Sequence, residues 1–368
     1  MLKKVLYTTV LLVSCLEIDA QIDSKWNQKP QVNITGFVDA YYVYDFNKPT
    51  GNRQDFFFNH NRHNEFNINN AVAIIALDHQ KYRMNLGLHA GTYAQDNYAH
   101  EQAMLRALHE ANVGISLNKK NTLWLDVGIF GSHMGFESAL SIDNPTLTRS
   151  FVAENSPYYL SGAKLTYQLG EKWEFAAIVS NGWQRIQRVE GNSMPSGGTQ
   201  VVFKPTDKLL LNWSTFATTE FPDSLRRMRY FNNLYANFKL GKKISVITGF
   251  DFGVEQASFQ SNKYNEWFAP VIITRYDYNH HWGFAIRGEY FQDAYGTIIP
   301  VQSNASEFKT TAVSVNVDFR PSSNAALRVE GRYLSSTEDV LPTSKGLSNN
   351  NFFLTLSLAV KFSEKLSK

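Results

Sequence analysis

The chain has 368 residues, a formal net charge of +3, one cysteine and many aromatics: 26 Phe, 18 Tyr and 7 Trp. A balance this weak, without a long basic run, argues against a nucleic-acid partner. One cysteine excludes a disulfide framework, and after the N-terminal segment no stretch is apolar for 18 residues, so no membrane-spanning helix is expected.

Residues 1–20 read as a secretory signal peptide. Lys3 and Lys4 form its positive start, Val5 to Leu16 a short apolar run, and Ala20 a small residue for cleavage before Gln21. About twenty apolar residues are needed to span a bilayer, more than this run offers. Leu12-Val13-Ser14-Cys15 loosely resembles a lipobox, so Cys15 is either lipidated or removed with the signal. Cleavage after Ala20 leaves a cysteine-free chain of unchanged charge, because Lys3 and Lys4 offset Glu17 and Asp19.

From residue 33 onward the chain alternates apolar and polar residues in short runs. The stretch 33–46 puts Ile34, Val38, Ala40, Tyr42, Tyr44 and Phe46 on one face and Asp39 and Asp45 on the other. Further strands are expected at 63–78, 81–93, 105–118, 121–133, 158–169, 172–183, 197–204, 208–219, 228–239, 242–254, 267–278, 281–292, 309–319, 325–335 and 350–361, sixteen in all. The last of them carries Phe352, Leu354, Leu356, Leu358, Val360 and Phe362 on one face.

The connections alternate in length. Seven are tight turns, such as His79-Gln80, Gly170-Glu171 and Leu240-Gly241; eight are longer, at 47–62, 94–104, 134–157, 184–196, 220–227, 255–266, 293–308 and 336–349. Such sorting by side is expected of an even-stranded transmembrane barrel with both termini in the periplasm, short periplasmic turns and long outer loops. A soluble sandwich has no reason for it. The expected fold is therefore all-β: an antiparallel up-and-down transmembrane β-barrel of about 16 strands over 33–362. A short periplasmic segment at 21–32 precedes it and a tail at 363–368 follows.

A barrel in lipid must show apolar residues outward, with aromatics at the interfaces. Trp173, Trp213, Trp282, Tyr82 and Tyr167 lie near the short turns and suit the periplasmic girdle. The other face carries Asp39, Arg83, Glu110, Asp126, Lys164, Glu174, Arg229, Lys239, Asp251, Arg275, Arg287, Glu289, Asp318, Arg328, Glu330 and Arg332. Burying so many charges in a dry core is costly, so they are expected to line a water-filled lumen, which sixteen strands are wide enough to hold.

Enzyme readings find no support. Ser132-His133 and His89 have no catalytic motif around them. His60 and His63, or His280-His281, lack a partner cluster at metal-ligand spacing. No cofactor or metal is expected.

Three stretches resemble the putative β-barrel porin-2 (OmpL-like) family of Bacteroidetes: GFVDAYYVYDF at 36–46, WLDVGIFGSHMGFES at 124–138 and NPTLTRSFVAENSPYYLSGAKLTY at 144–167, with SNGWQ at 180–184 also fitting. The resemblance covers nearly the whole mature chain. It implies an outer-membrane porin passing small hydrophilic solutes or ions by passive diffusion. A substrate-selective channel (for anions or oligosaccharides) and a non-conducting barrel for adhesion or anchoring are the alternatives. Its partners would be outer-membrane lipid, the solutes and the barrel-insertion machinery, with a homotrimer as a further expectation because trimers are common among sixteen-stranded porins. In those porins the loop after the fifth strand folds inward and narrows the pore. By that resemblance the 24 residues of 134–157 form the constriction loop, with Glu137, Asp143, Arg149 and Glu154 projecting opposite the lumen arginines. Outer-membrane barrels often end on an aromatic; here Phe362 is followed by six more residues.

Overall fold

The computed structural model describes residues 26, 28–50, 53–301 and 305–366; the signal-peptide segment and Cys15 lie outside them. The strands are β1 (Gln31–Asp45), β2 (Phe66–Asp78), β3 (Tyr82–Ala90), β4 (Leu108–Ser116), β5 (Leu123–Gly131), β6 (Tyr159–Leu169), β7 (Trp173–Ser180), β8 (Ser196–Thr206) and β9 (Leu209–Thr218). They continue as β10 (Arg229–Leu240), β11 (Ile244–Gln256), β12 (Tyr264–Asp277), β13 (Trp282–Asp293), β14 (Phe308–Ser322), β15 (Ala325–Ser336), β16 (Leu341–Thr343), β17 (Gly346–Ser348) and β18 (Asn350–Leu366). Two short helices, α1 (Thr92–Asn97) and α2 (Phe151–Glu154), lie in outer connections.

Sixteen of these strands form one closed antiparallel barrel in which each pairs with its neighbours in sequence, and β18 pairs with β1. The seam runs from Val32 opposite Leu366 to Asp45 opposite Phe353. Closure satisfies every strand edge within the protein, as a bilayer demands. All sixteen expected strands are present, with boundaries shifted by a few residues. The expected tail is an exception. β18 runs past Phe362 to Leu366 because Thr35, Ile34, Asn33 and Val32 of β1 extend far enough to pair with it. The hairpin of β16 and β17, inside the last outer connection, is not signalled by any alternation, since each strand has only three residues.

Alternation explains the outer surface. Val313 and Val315 on β14, Leu327 on β15 and Leu358 on β18 are exposed, as side chains facing hydrocarbon must be. Trp173, Tyr167 and Trp282 are exposed near the short turns. At the opposite rim, outward aromatics pair: Tyr42 with Phe66 at 5.0 Å between ring centres and Phe46 with Phe352 at 5.3 Å. The apolar belt therefore lies between two aromatic girdles. A charge placed in its middle should be expensive: Val315→Arg is expected to lower folding stability by about 2–4 kcal/mol, read from denaturant titration in lipid vesicles.

The inner surface differs from the expectation of an evenly hydrated, charged wall. Arg287, Glu289, Asp318, Arg328, Glu330 and Arg332 point inward but are buried. Beside them, inward apolar residues join residues from the outer loops in one dry cluster that includes Phe56, Phe57, Phe151, Phe216, Phe231, Trp267, Phe291, Phe308 and Phe353. The reason is coverage: outer connections fold into the barrel, and the charges behind them are retained because each is paired.

Candidate functional site

The connection between β5 and β6 crosses the lumen from one wall to the other. Its first residues lie on β8 to β11. The His133 carbonyl accepts hydrogen bonds from Ser214 Oγ at 2.7 Å and Gln200 Nε2 at 2.9 Å, and its Nε2 lies 3.0 Å from the Thr215 carbonyl. This close approach needs Gly198 on β8, where a Cβ would stand 2.8 Å from the His133 ring. Gly135, at φ +85°, turns the chain and donates to Asn233 Oδ1 on β10 at 2.9 Å.

Leu140 then packs with Phe37, Val72 and Ala359 on the opposite side of the barrel, where β1, β2 and β18 meet. From here the loop is fastened by its backbone to charged inward side chains. Arg328 donates to the carbonyls of Ser141 at 2.6 Å and Asn144 at 3.0 Å. Arg275 donates to the Pro145 carbonyl at 3.1 Å. Glu330 accepts from the Thr148 amide at 2.6 Å and its hydroxyl at 2.9 Å, while Arg287 donates to the Thr148 carbonyl at 2.6 Å. Arg332 donates to the Arg149 carbonyl at 2.9 Å, and Glu289 accepts from the Phe151 amide at 2.6 Å. An irregular backbone withdrawn from water must find partners for its amides and carbonyls, and the wall supplies them.

The wall charges also neutralise one another. Arg287 pairs with Glu289 and with Glu330, each at 2.9 Å. Arg332 reaches Glu289 at 2.7 Å, and Asp318 takes Arg328 at 2.7 Å and Arg275 at 2.6 Å. The outcome is a lattice of ion pairs spanning β12 to β15, hydrogen-bonded at Asp318 and Glu330, with the loop laid upon it. Asp39 belongs to the same surface: it accepts from Ser141 Oγ at 2.6 Å and from Ser357 Oγ, and lies 3.0 Å from His60 Nε2.

The four loop side chains singled out from sequence do not stand across open water from these arginines. Glu137 Oε2 accepts from the amide and hydroxyl of Ser150, and burial pushes its pKa up. Asp143 pairs with Lys361 at 2.7 Å. Arg149 is buried, its Nη1 3.5 Å from the Leu147 carbonyl. Glu154 accepts from the Phe58 amide at 2.8 Å and Asn59 Nδ2 at 3.3 Å, tying this loop to the first outer connection; burial raises its pKa to about 7. Ser150 also caps α2, accepting from the Ala153 amide at 3.4 Å.

The remaining candidates lie apart from the loop lattice. Arg83 pairs with Asp126 at 2.5 Å and stacks over Trp124. Arg229 pairs with Glu255 at 2.7 Å, and Asp251 accepts from Asn233 Nδ2 at 2.5 Å. Residues not anticipated as loop partners include Asn233 and Asn316, whose Oδ1 accepts from the Leu147 amide at 3.0 Å. Phe56 and Phe57 were also missed; their signal is a run of three Phe within a loop, DFFFNH at 55–60. His60 and His63 serve separate contacts, His63 Nδ1 accepting from the Asp45 amide at 3.0 Å. Among the described residues no group of three or more His, Cys, Asp or Glu is placed to hold a metal ion. A cavity of about 250 Å³ remains between the loop and β4–β5, lined by Tyr93, Tyr98, Glu137 and Tyr158.

The sequence profile of the family described as Putative beta-barrel porin-2, OmpL-like, matches residues 31–362. Among curated proteins none matches by sequence. Several solved structures share the fold. The outer membrane channel DcaP of Acinetobacter baumannii superposes with a TM-score of 0.60 at 12% identity, covering 91% of this chain and 98% of that one. The anion-selective porin from Comamonas acidovorans gives 0.60 at 9% identity, over 91% and 100%. The trimer form of OmpT, an outer membrane protein of Vibrio cholerae, gives 0.60 at 9% identity, again over 91% and 100%.

Proposed function

Because the chain belongs to the family of β-barrel porins whose profile spans residues 31–362, we propose that loop 134–157 sets the width of its passage. The protein is an outer-membrane porin for passive diffusion of small hydrophilic solutes or ions, and the loop is its constriction. One observation carries this reading: the loop runs wall to wall, held by its own backbone to Arg328, Glu330, Arg287 and Glu289. A loop held in this way cannot swing freely, so the passage it leaves is narrow and steady. Glu137, Asp143, Arg149 and Glu154 act by fixing the loop's course more than by facing solute.

Planar-bilayer recording tests the reading. Small, stepwise single-channel conductance is expected from the intact protein. Replacing 138–150 by a short Gly-Ser linker should raise the conductance several-fold, as the barrel alone is wide enough for water. A silent bilayer, with folded protein confirmed by heat-modifiable gel migration, would overturn the porin reading. Unchanged conductance after loop replacement would remove the constriction role.

We further infer assembly as a homotrimer, the form in which OmpT of Vibrio cholerae has been solved, and delivery by the barrel-insertion machinery through the C-terminal strand. Native mass measurement in detergent checks the first: three barrels per particle are expected.

A further inference from the structure

The charges of the wall beside the loop offset one another. Every arginine of the barrel wall described above has a carboxylate partner, and the lattice on β12 to β15 is buried, so it projects little field into water. Unbalanced charge appears instead at the periplasmic mouth, on the arc of β6 to β11. A groove of about 660 Å³ opens there between neighbouring turns. It is lined by Lys172, Lys204, Lys208 and Lys239, against Glu171 and Asp207. All four lysines are exposed, and among the described residues none is in an ion pair. Lys204 and Lys239 stand on the inward face of their strands, β8 and β10, while Lys172 and Lys208 hold the adjoining turns. The next turn adds Lys242 and Lys243.

We propose that this lysine rim gives the channel a preference for small anions, acting as a periplasmic vestibule that concentrates them ahead of the constriction. The inference rests on the porin reading above. Like charges gathered at a low-dielectric mouth raise the local concentration of counter-ions. The effect is exposed to solvent, so salt must screen it: the Debye length is about 10 Å at 0.1 M and about 3 Å at 1 M. A filter buried at the loop would not fade in that way.

Zero-current potentials across a tenfold KCl gradient test it. The intact protein is expected to favour chloride over potassium, and the preference should shrink when both solutions are raised toward 1 M. The fourfold variant Lys172→Glu, Lys204→Glu, Lys208→Glu and Lys239→Glu should lower the chloride-to-potassium permeability ratio by about tenfold at low salt. The milder set with Gln at the same positions should fall between. Lys263→Glu, in the outer connection before β12, is expected to leave the ratio nearly unchanged. Cation preference in the intact protein, or an unaltered ratio in a conducting fourfold variant, overturns the rim. Loss of all conductance in the intact, folded protein overturns the porin reading and the rim with it.

Discussion

Arg287→Ala should cost about 3–5 kcal/mol of folding stability, read as a lower midpoint of denaturant unfolding in lipid vesicles. The side chain is buried and serves two carboxylates and the loop at once: Glu289, Glu330, and the Thr148 carbonyl at 2.6 Å. Removing it leaves Glu330 without its ion-pair partner and Glu289 with Arg332 alone in a dry setting, which costs more than the lost attraction itself. The second readout is functional. With the Thr148 carbonyl released, the loop keeps Glu330 and Glu289 but loses one of its two ties to β13, and single-channel current should become larger and noisier. Arg287→Lys is expected to rescue only in part, since an ammonium cannot reproduce the planar fork that spans both acids. A change under about 1 kcal/mol would show that the lattice does not hold the loop.

Stability should also depend on pH through Glu154. Its pKa rises from the ordinary 4.5 to about 7, first because burial penalises the charge; the Phe58 amide, Arg149, Asn59 and Arg332 pull the other way. A raised acid means that the folded protein holds its proton longer than the unfolded chain. Below about pH 4.5 both states are protonated and the group adds no dependence. As pH climbs from there to about 7, the unfolded chain ionises first, and stability falls, by up to about 3 kcal/mol in total. Above that range the loss is complete and the curve is flat. Comparing unfolding midpoints of the intact protein and Glu154→Gln between pH 4.5 and 8 isolates this contribution. The difference should change across that interval, with the Gln variant gaining relative stability as pH rises. Parallel curves would show that Glu154 does not titrate there.

The barrel was legible in the sequence because lipid imposes a period of two that nothing else disturbs. Val313, Val315 and Val317 announce β14 without any knowledge of their neighbours. The sorting of turns such as Gly170-Glu171 against loops such as 134–157 then closed the count at sixteen. The inner face was legible as to direction but not as to environment. Alternation places Arg328 and Glu330 inward; it says nothing of what covers them. Covering depends on contacts such as Leu147 to Asn316 and Arg328 to Ser141, between residues more than 160 positions apart. The clustered Phe56 and Phe57 hinted at an infolded loop, yet a loop-borne aromatic run has no period from which to infer its destination. The end of β18 escaped for a similar reason: Ser363, Glu364 and Lys365 look like a solvated tail until β1 is known to lie beside them.

The seam between β1 and β18 dictates an order of events during biogenesis. Nearly every anchor of the loop lies on a strand made after it: β13, β14 and β15 follow it by more than a hundred residues. β18, the strand that shuts the ring, comes last. When residues 134–157 are first made, their wall does not exist. Their amides and carbonyls stay bonded to water until the second half of the barrel arrives. Contacts this remote in sequence form slowly, because long loops must close before any bond rewards them. A chain halted before β18 would be an open sheet whose loop already has its wall of β13 to β15 but lacks the Ala359 contact of Leu140 and the Lys361 partner of Asp143, and the last step of assembly would add these as it shuts the ring.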